Sequence, residues 1–155
     1  KVMTSAQDTF ISSTNWTERV GTAAAIATID KYTNQNVHEH LHKMGKSVQS
    51  FWREMSNKYD LNLDVSGLYQ LSYMSFAEDN DIKKTYFVEK MLEKSILAST
   101  RYYPNFSQNE THLRKYKKAA EEVFKNISTI SKLKSGKLKD HIKGSISMSG
   151  FKRYA

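Results

Sequence analysis

His38-Glu39-His40-Leu41-His42 fits the H-E-x-x-H pattern, in which two histidines one helical turn apart hold zinc and the glutamate serves as base. Gly45 extends the fit to H-E-x-x-H-x-x-G. The longer pattern then fails, because Val48 stands where a third histidine is required and a catalytic zinc needs three protein ligands besides an open position. On a helix whose apolar stripe is centred on Val37, His38 and His42 fall roughly 100 to 140 degrees away. We therefore expect both to face solvent and expect no metal site. A second cluster, Ser12-Ser13-Thr14, precedes Asn15 and an alanine-rich run. Hydroxyls beside the free backbone N–H groups of a helix start, aided by the helix dipole, form an anion site. The same residues could equally do no more than cap the helix, and both readings stand at this point. His112 and His141 sit among lysines and are expected at the surface. No Ser/His/Asp arrangement, glycine-rich phosphate loop or carboxylate pair stands out.

These residues need elements to hold them. Asn15 and Glu18 have the spacing of a capping box, which predicts a helix running to about Tyr32. Its stretch Thr22-Ala23-Ala24-Ala25-Ile26-Ala27 has so little bulk that another backbone can approach closely, as in a buried helix. A second helix is predicted over 37–59, where Val37, Leu41, Met44, Val48, Phe51, Trp52 and Met55 recur every three or four residues. From Leu61 the period shortens to two, giving a strand through Val65, a Ser66-Gly67 turn and a second strand from Leu68 to Phe76. The acidic turn Glu78-Asp79-Asn80-Asp81 introduces a helix carrying Ile82, Tyr86, Met91 and Leu92. Ile96 to Tyr103 reads as a strand stopped by Pro104. A last long helix starts near Asn109, with Leu113, Tyr116, Ala120, Val123, Phe124, Ile127 and Ile130 on its buried face, and the pattern decays beyond Lys132. Helices with a small sheet of three to four strands make an α/β or α+β layer.

Composition narrows the class. A chain of 155 residues with 39% hydrophobic and 12% aromatic residues can bury a core, and no apolar run approaches the roughly 18 residues of a membrane span. There is no cysteine, which excludes disulfides and thiolate chemistry and suits a reducing, cytoplasmic compartment. Nothing resembling a signal or transit peptide opens the sequence. It starts at Lys1 with no turn or cap before it, so the polypeptide is expected to continue upstream. The net charge of +8 is C-terminal: Arg101 to Ala155 holds 13 Lys/Arg against 4 Asp/Glu, the first hundred residues 11 against 12. A polyanion-binding tail is one reading of that asymmetry. Without interleaved aromatics or a nucleic-acid motif, a solvated helix face is the reading we prefer.

The stretch from Ala6 to Ile29, with Thr14, a short turn and the alanine-rich run, resembles class III pyridoxal-phosphate-dependent aminotransferases, and is similar to their glutamate-1-semialdehyde aminomutase branch. Glu93-Lys94-Ser95-Ile96-Leu97-Ala98-Ser99 followed by Tyr103-Pro104 resembles a late strand of that branch, and Asn109 to Phe124 its last long helix. The order and spacing agree over nearly the whole chain. The resemblance implies the C-terminal small domain of a fold type I aminotransferase, with 1–32 as the lead-in helix at the large-domain boundary and 33–155 as the small domain. It further implies that Thr14, with Ser13 beside it, reaches the phosphate of pyridoxal 5'-phosphate bound in the neighbouring subunit of a homodimer. The Schiff-base lysine, the acid paired with the pyridinium nitrogen and the ring-stacking residue lie upstream of this segment in the family.

Two departures limit the likeness. Trp16-Thr17-Glu18-Arg19 replaces a common Gly-His/Asn-Pro turn, and Gln108 replaces a common histidine. The expectation is therefore a fragment of an aminotransferase or aminomutase acting on an amino acid or amino-carbonyl substrate. It should be inactive alone, and its partners should be the missing large domain and a second subunit, not nucleic acid or a membrane. The alternative is a non-catalytic polyanion-binding or helical interaction domain that uses the basic C-terminal region.

Overall fold

The computed structural model describes residues 18–133 and 137–147. The chain divides into two compact units, Lys1–Val37 and His38–Ala155. The described part of the first is helix α1 (Arg19–Asn34), with Glu18 at the N-cap position making no side-chain capping bond. Asn15, the expected cap, lies outside the described residues. No residue of α1 is buried, and Val20, Ile26 and Ile29 are more than half exposed. Small residues permit the close approach expected of a buried helix, but no other element that could supply the neighbour is described in that unit.

In the second unit, α2 (Val37–Tyr59) is followed by β1 (Leu63–Ser66), a 3-10 turn (Tyr69–Leu71) and β2 (Ser72–Phe76). Then come α3 (Asn80–Glu93), β3 (Arg101–Tyr102), α4 (Glu110–Lys132) and a second 3-10 turn (Leu138–His141). The sheet has three antiparallel strands in the order β1-β2-β3, with Leu63 opposite Phe76 and Ser72 opposite Tyr102. Period-two alternation has its expected effect in β2, where Ser72, Met74 and Phe76 are buried and Tyr73 and Ser75 are not. One face of the sheet therefore joins the helices in a single core. Trp52, Phe87, Phe124, Met44, Met74 and Met91 are fully buried there, and the rings of Phe87 and Phe124 stack at 5.2 Å. The fold is α+β, as the alternation of periods predicts.

Several elements differ in detail from the sequence reading. The second strand is shorter than expected, because Tyr69–Leu71 turns instead of extending and leaves Leu68 and Leu71 exposed. Ile96 to Ser99 is not a strand: only Arg101–Tyr102 pairs with β2, and the Ser99 hydroxyl is taken up by the Arg101 N–H and carbonyl in a local turn. Leu92, expected on the buried face of α3, is mostly exposed. Asp79 occupies the N-cap of α3 in a left-handed conformation (φ 52) without a side-chain capping bond. Asn80 instead turns back, its Oδ1 accepting from the Phe76 N–H at 3.1 Å.

Two polar devices fasten the layers. Gln49, almost completely buried on α2, donates its amide to the Ser66 and Gly67 carbonyls and to Ser72 Oγ at 3.0 to 3.3 Å, holding the β1-β2 connection onto the helix. Gly45 lets the Tyr69 turn approach, for a Cβ there would lie 1.7 Å from the Tyr69 carbonyl oxygen.

Candidate functional site

His38 and His42 are exposed, as helical geometry requires, and no grouping of three or more His, Cys, Asp or Glu suited to a metal ion occurs among the described residues. Three residues of the pattern have another use. The His42 ring stands edge-on to Tyr69 at 4.7 Å, the His40 ring edge-on to Phe106 at 5.3 Å, and Gly45 makes room for Tyr69. Sequence matched the motif letter by letter, whereas the fold uses these residues to pack a turn against α2.

Thr14 and Ser13, the residues named for cofactor phosphate, lie outside the described residues. What the fold assembles is a cleft of about 550 Å³ beside β3. One wall is the extended segment Ser95 to Ser99, another is Arg101 to Tyr103, and the floor comes from Gln108 and the first two turns of α4 with His112, Leu113, Lys115 and Tyr116. The irregular course of residues 96–99 opens this space. Ser99 keeps the segment off the sheet edge by accepting the Arg101 N–H at 3.0 Å and donating to the Arg101 carbonyl at 3.2 Å.

Local chemistry explains why the floor is rigid. Asn109 caps α4 by accepting the N–H groups of Thr111 and His112 at 3.0 and 3.2 Å, and His112 Nδ1 reciprocates by accepting the Asn109 N–H at 3.2 Å. Asn105 Oδ1 accepts from the N–H groups of Ser107 and Gln108, which shapes the turn after Pro104. Tyr102 donates its hydroxyl to Gln108 Oε1 at 2.7 Å. Below it, the Trp52 indole donates to the Tyr116 hydroxyl at 2.9 Å, and the rings of Tyr102 and Tyr116 lie 5.9 Å apart. Burial pushes the Tyr116 hydroxyl well above the usual tyrosine range and raises that of Tyr102, so both stay protonated. Nothing in the sequence pattern announced this cleft; its strongest trace was Gln108, seen only as a departure from a family pattern.

Covalent attachment of pyridoxal phosphate needs a lysine whose amine can lose its proton. Lys58 and Lys90 are shifted the opposite way, held charged chiefly by hydrogen bonds to Glu121 and Glu93. Lys43 and Lys94 pair with Glu110 and Glu122 at 2.9 and 2.7 Å. Lys117 donates to Ser47, and Lys115, which lines the cleft, is exposed.

No family model matches the chain, and no curated protein matches it. Among solved structures, the PLP internal aldimine form of the Sphingopyxis sp. MTA144 FumI protein is similar at a TM-score of 0.70 and 19% identity. The match covers 86% of this chain and 33% of that one, so the chain spans about a third of the length of the protein it resembles. The α+β architecture described above is therefore a fold shared with about a third of that protein.

Proposed function

We propose that this chain is the C-terminal part of a pyridoxal-phosphate-dependent aminotransferase or aminomutase of class III, similar to the glutamate-1-semialdehyde aminomutase branch. The observation that carries the reading is the fold shared with a third of the FumI protein, which was solved with its PLP aldimine. The intact enzyme moves an amino group between an amine and a carbonyl compound, the cofactor supplying the electron sink and the protein the orientation. This segment contributes the small domain, and the exposed apolar face of α1 meets either the large domain or a second subunit. Thr14 and Ser13 contact the cofactor phosphate across a homodimer, and the enzyme works in the cytoplasm. Because the Schiff-base lysine lies upstream of this segment in the family it resembles, the chain alone should have no transaminase activity.

The test is to incubate the chain with pyridoxal phosphate, reduce with borohydride and map the products by mass spectrometry. Substoichiometric labelling spread over several surface lysines is expected. Stoichiometric labelling of one lysine would overturn the reading, as would a complete gene product that binds no pyridoxal phosphate.

A further inference from the structure

The cleft beside β3 carries a hydrogen-bonding bias that its residue list alone does not reveal. Donors and acceptors can be assigned because three of the bonds around it involve groups that only donate. The Asn109 backbone N–H donates to His112 Nδ1, so the neutral ring carries its proton on Nε2. The Asn105 N–H donates to Gln108 Oε1 at 3.4 Å, as does the Tyr102 hydroxyl, so the oxygen of Gln108 faces them and its NH₂ group is left over. The Trp52 indole can only donate, so the Tyr116 hydroxyl receives that bond and retains its own proton for another acceptor. Among the described residues none of these three leftover donors has a partner.

Charge points the same way. No Asp or Glu lines the cleft, while Lys115 does and forms no ion pair among the described residues. Arg101 also lines it, its guanidinium over the Tyr73 ring at 6.0 Å, so the charged groups of the cleft are both cations. The remaining walls are mostly apolar: Ile96, Leu97, Ala98, Leu113 and the rings of Tyr102, Tyr103 and Tyr116, with Ser95 and Ser99 among them. Concave sites of several hundred Å³ with mostly apolar walls and a few convergent polar groups are the usual form of small-molecule sites. A ligand matching this one must offer acceptors and no competing cation, on a body that can be buried.

We infer that the cleft formed by residues 95–103, Gln108, His112, Lys115 and Tyr116 binds an organic carboxylate with an apolar or aromatic body. The carboxylate takes the Gln108 amide, the His112 Nε2–H and the Lys115 ammonium, while the body lies against Leu97, Leu113 and the tyrosine rings. This rests on the cleft alone and does not depend on the enzyme class proposed above.

The experiment uses the 155-residue chain, with phenylacetate as probe and phenylacetamide, acetate and inorganic phosphate as comparisons, followed by calorimetry and by amide shifts of 95–99 and the Gln108 side chain. Phenylacetate is expected to saturate, binding at least tenfold tighter than phenylacetamide, which lacks the charge, and at least tenfold tighter than acetate, which lacks the body. Gln108→Glu keeps an oxygen for Tyr102 and Asn105 but replaces the spare donor with a negative charge. It should weaken phenylacetate at least tenfold while leaving phenylacetamide within twofold, and Lys115→Gln should weaken phenylacetate about fivefold. Equal affinity for acid and amide, tightest binding of phosphate, or an unchanged affinity in a folded Gln108→Glu chain would each overturn the inference.

Discussion

Gly45→Ala is the substitution whose outcome the structure constrains most tightly. In an exposed helix, replacing glycine by alanine stabilises by roughly 1 kcal/mol, because alanine loses less conformational freedom. Here the added Cβ would meet Tyr69 O at 1.7 Å, Tyr69 C at 2.4 Å and Tyr69 Cα at 3.1 Å. Ordinary carbon contacts begin near about 3.5 Å, so helix and turn must separate by roughly 1.5 Å. The obstacle is backbone, which no rotamer change removes. Separation also pulls on the bonds from Gln49 to Ser66, Gly67 and Ser72, and on the edge contact of His42 with Tyr69. Overpacking typically costs about 1 to 3 kcal/mol, and a backbone clash with hydrogen bonds behind it belongs at or above the top of that range. After subtracting the propensity gain, a net loss of about 2 kcal/mol is expected, or a melting temperature lower by roughly 6 to 10 °C. Thermal unfolding of Gly45→Ala beside Lys46→Ala, an exposed control that should stay within about 0.5 kcal/mol, measures it. A Gly45→Ala chain melting at or above the parent would refute the close approach of α2 and the Tyr69 turn.

Three further outcomes follow from the same structure. The folded chain holds the Tyr116 proton above the pH at which the unfolded chain releases it, about 10, so stability is intact below that pH and declines above it by up to about 1.4 kcal/mol per pH unit. Urea midpoints across this range should fall less steeply for Tyr116→Phe, and parallel slopes would contradict the burial of that hydroxyl. Asn109→Ala removes the acceptor for two N–H groups at the start of α4 and should cost about 1 kcal/mol, with faster amide exchange confined to Thr111 and His112; unchanged exchange there argues against the cap. On the function proposed above, Thr14→Val in the complete protein should weaken pyridoxal phosphate roughly ten- to a hundredfold, the loss of one charge-assisted hydrogen bond. An unaltered dissociation constant with a lower melting temperature would instead make Thr14 a helix cap.

The parts of the fold legible in the sequence are those in which one strong period runs long enough to dominate. In α2 and α4 apolar residues recur over 23 residues each, and Val48, Trp52, Met55, Leu113, Val123, Phe124 and Ile127 are all buried. Short segments gave way to their neighbours. Residues 96–99 have strand-like composition, but the ladder ends at Thr100, whose carbonyl accepts the Met74 N–H, because Ser99 spends its hydroxyl on a local turn with Arg101. Gln49 does not stand out in the sequence, yet its amide donates to three oxygens and is buried.

The candidate site was less legible still, because its chemistry depends on which end of each bond donates. Gln108, His112 and Tyr116 are common residues at unremarkable spacing, and nothing in their order says that one amide, one imidazole N–H and one hydroxyl remain unspent around the same cavity. That conclusion needs the partners: a backbone N–H at Asn109, another at Asn105, and an indole from a helix 64 residues earlier. The histidine cluster teaches the converse. His38, Glu39 and His42 have the spacing of a metal motif, but spacing fixes only which residues share a helix face. What that face meets decides their use, and here Tyr69 packs against it at His42 and Gly45. A motif of a few letters thus carried less chemistry than three unannounced donors, since function follows from which groups remain unpaired after folding.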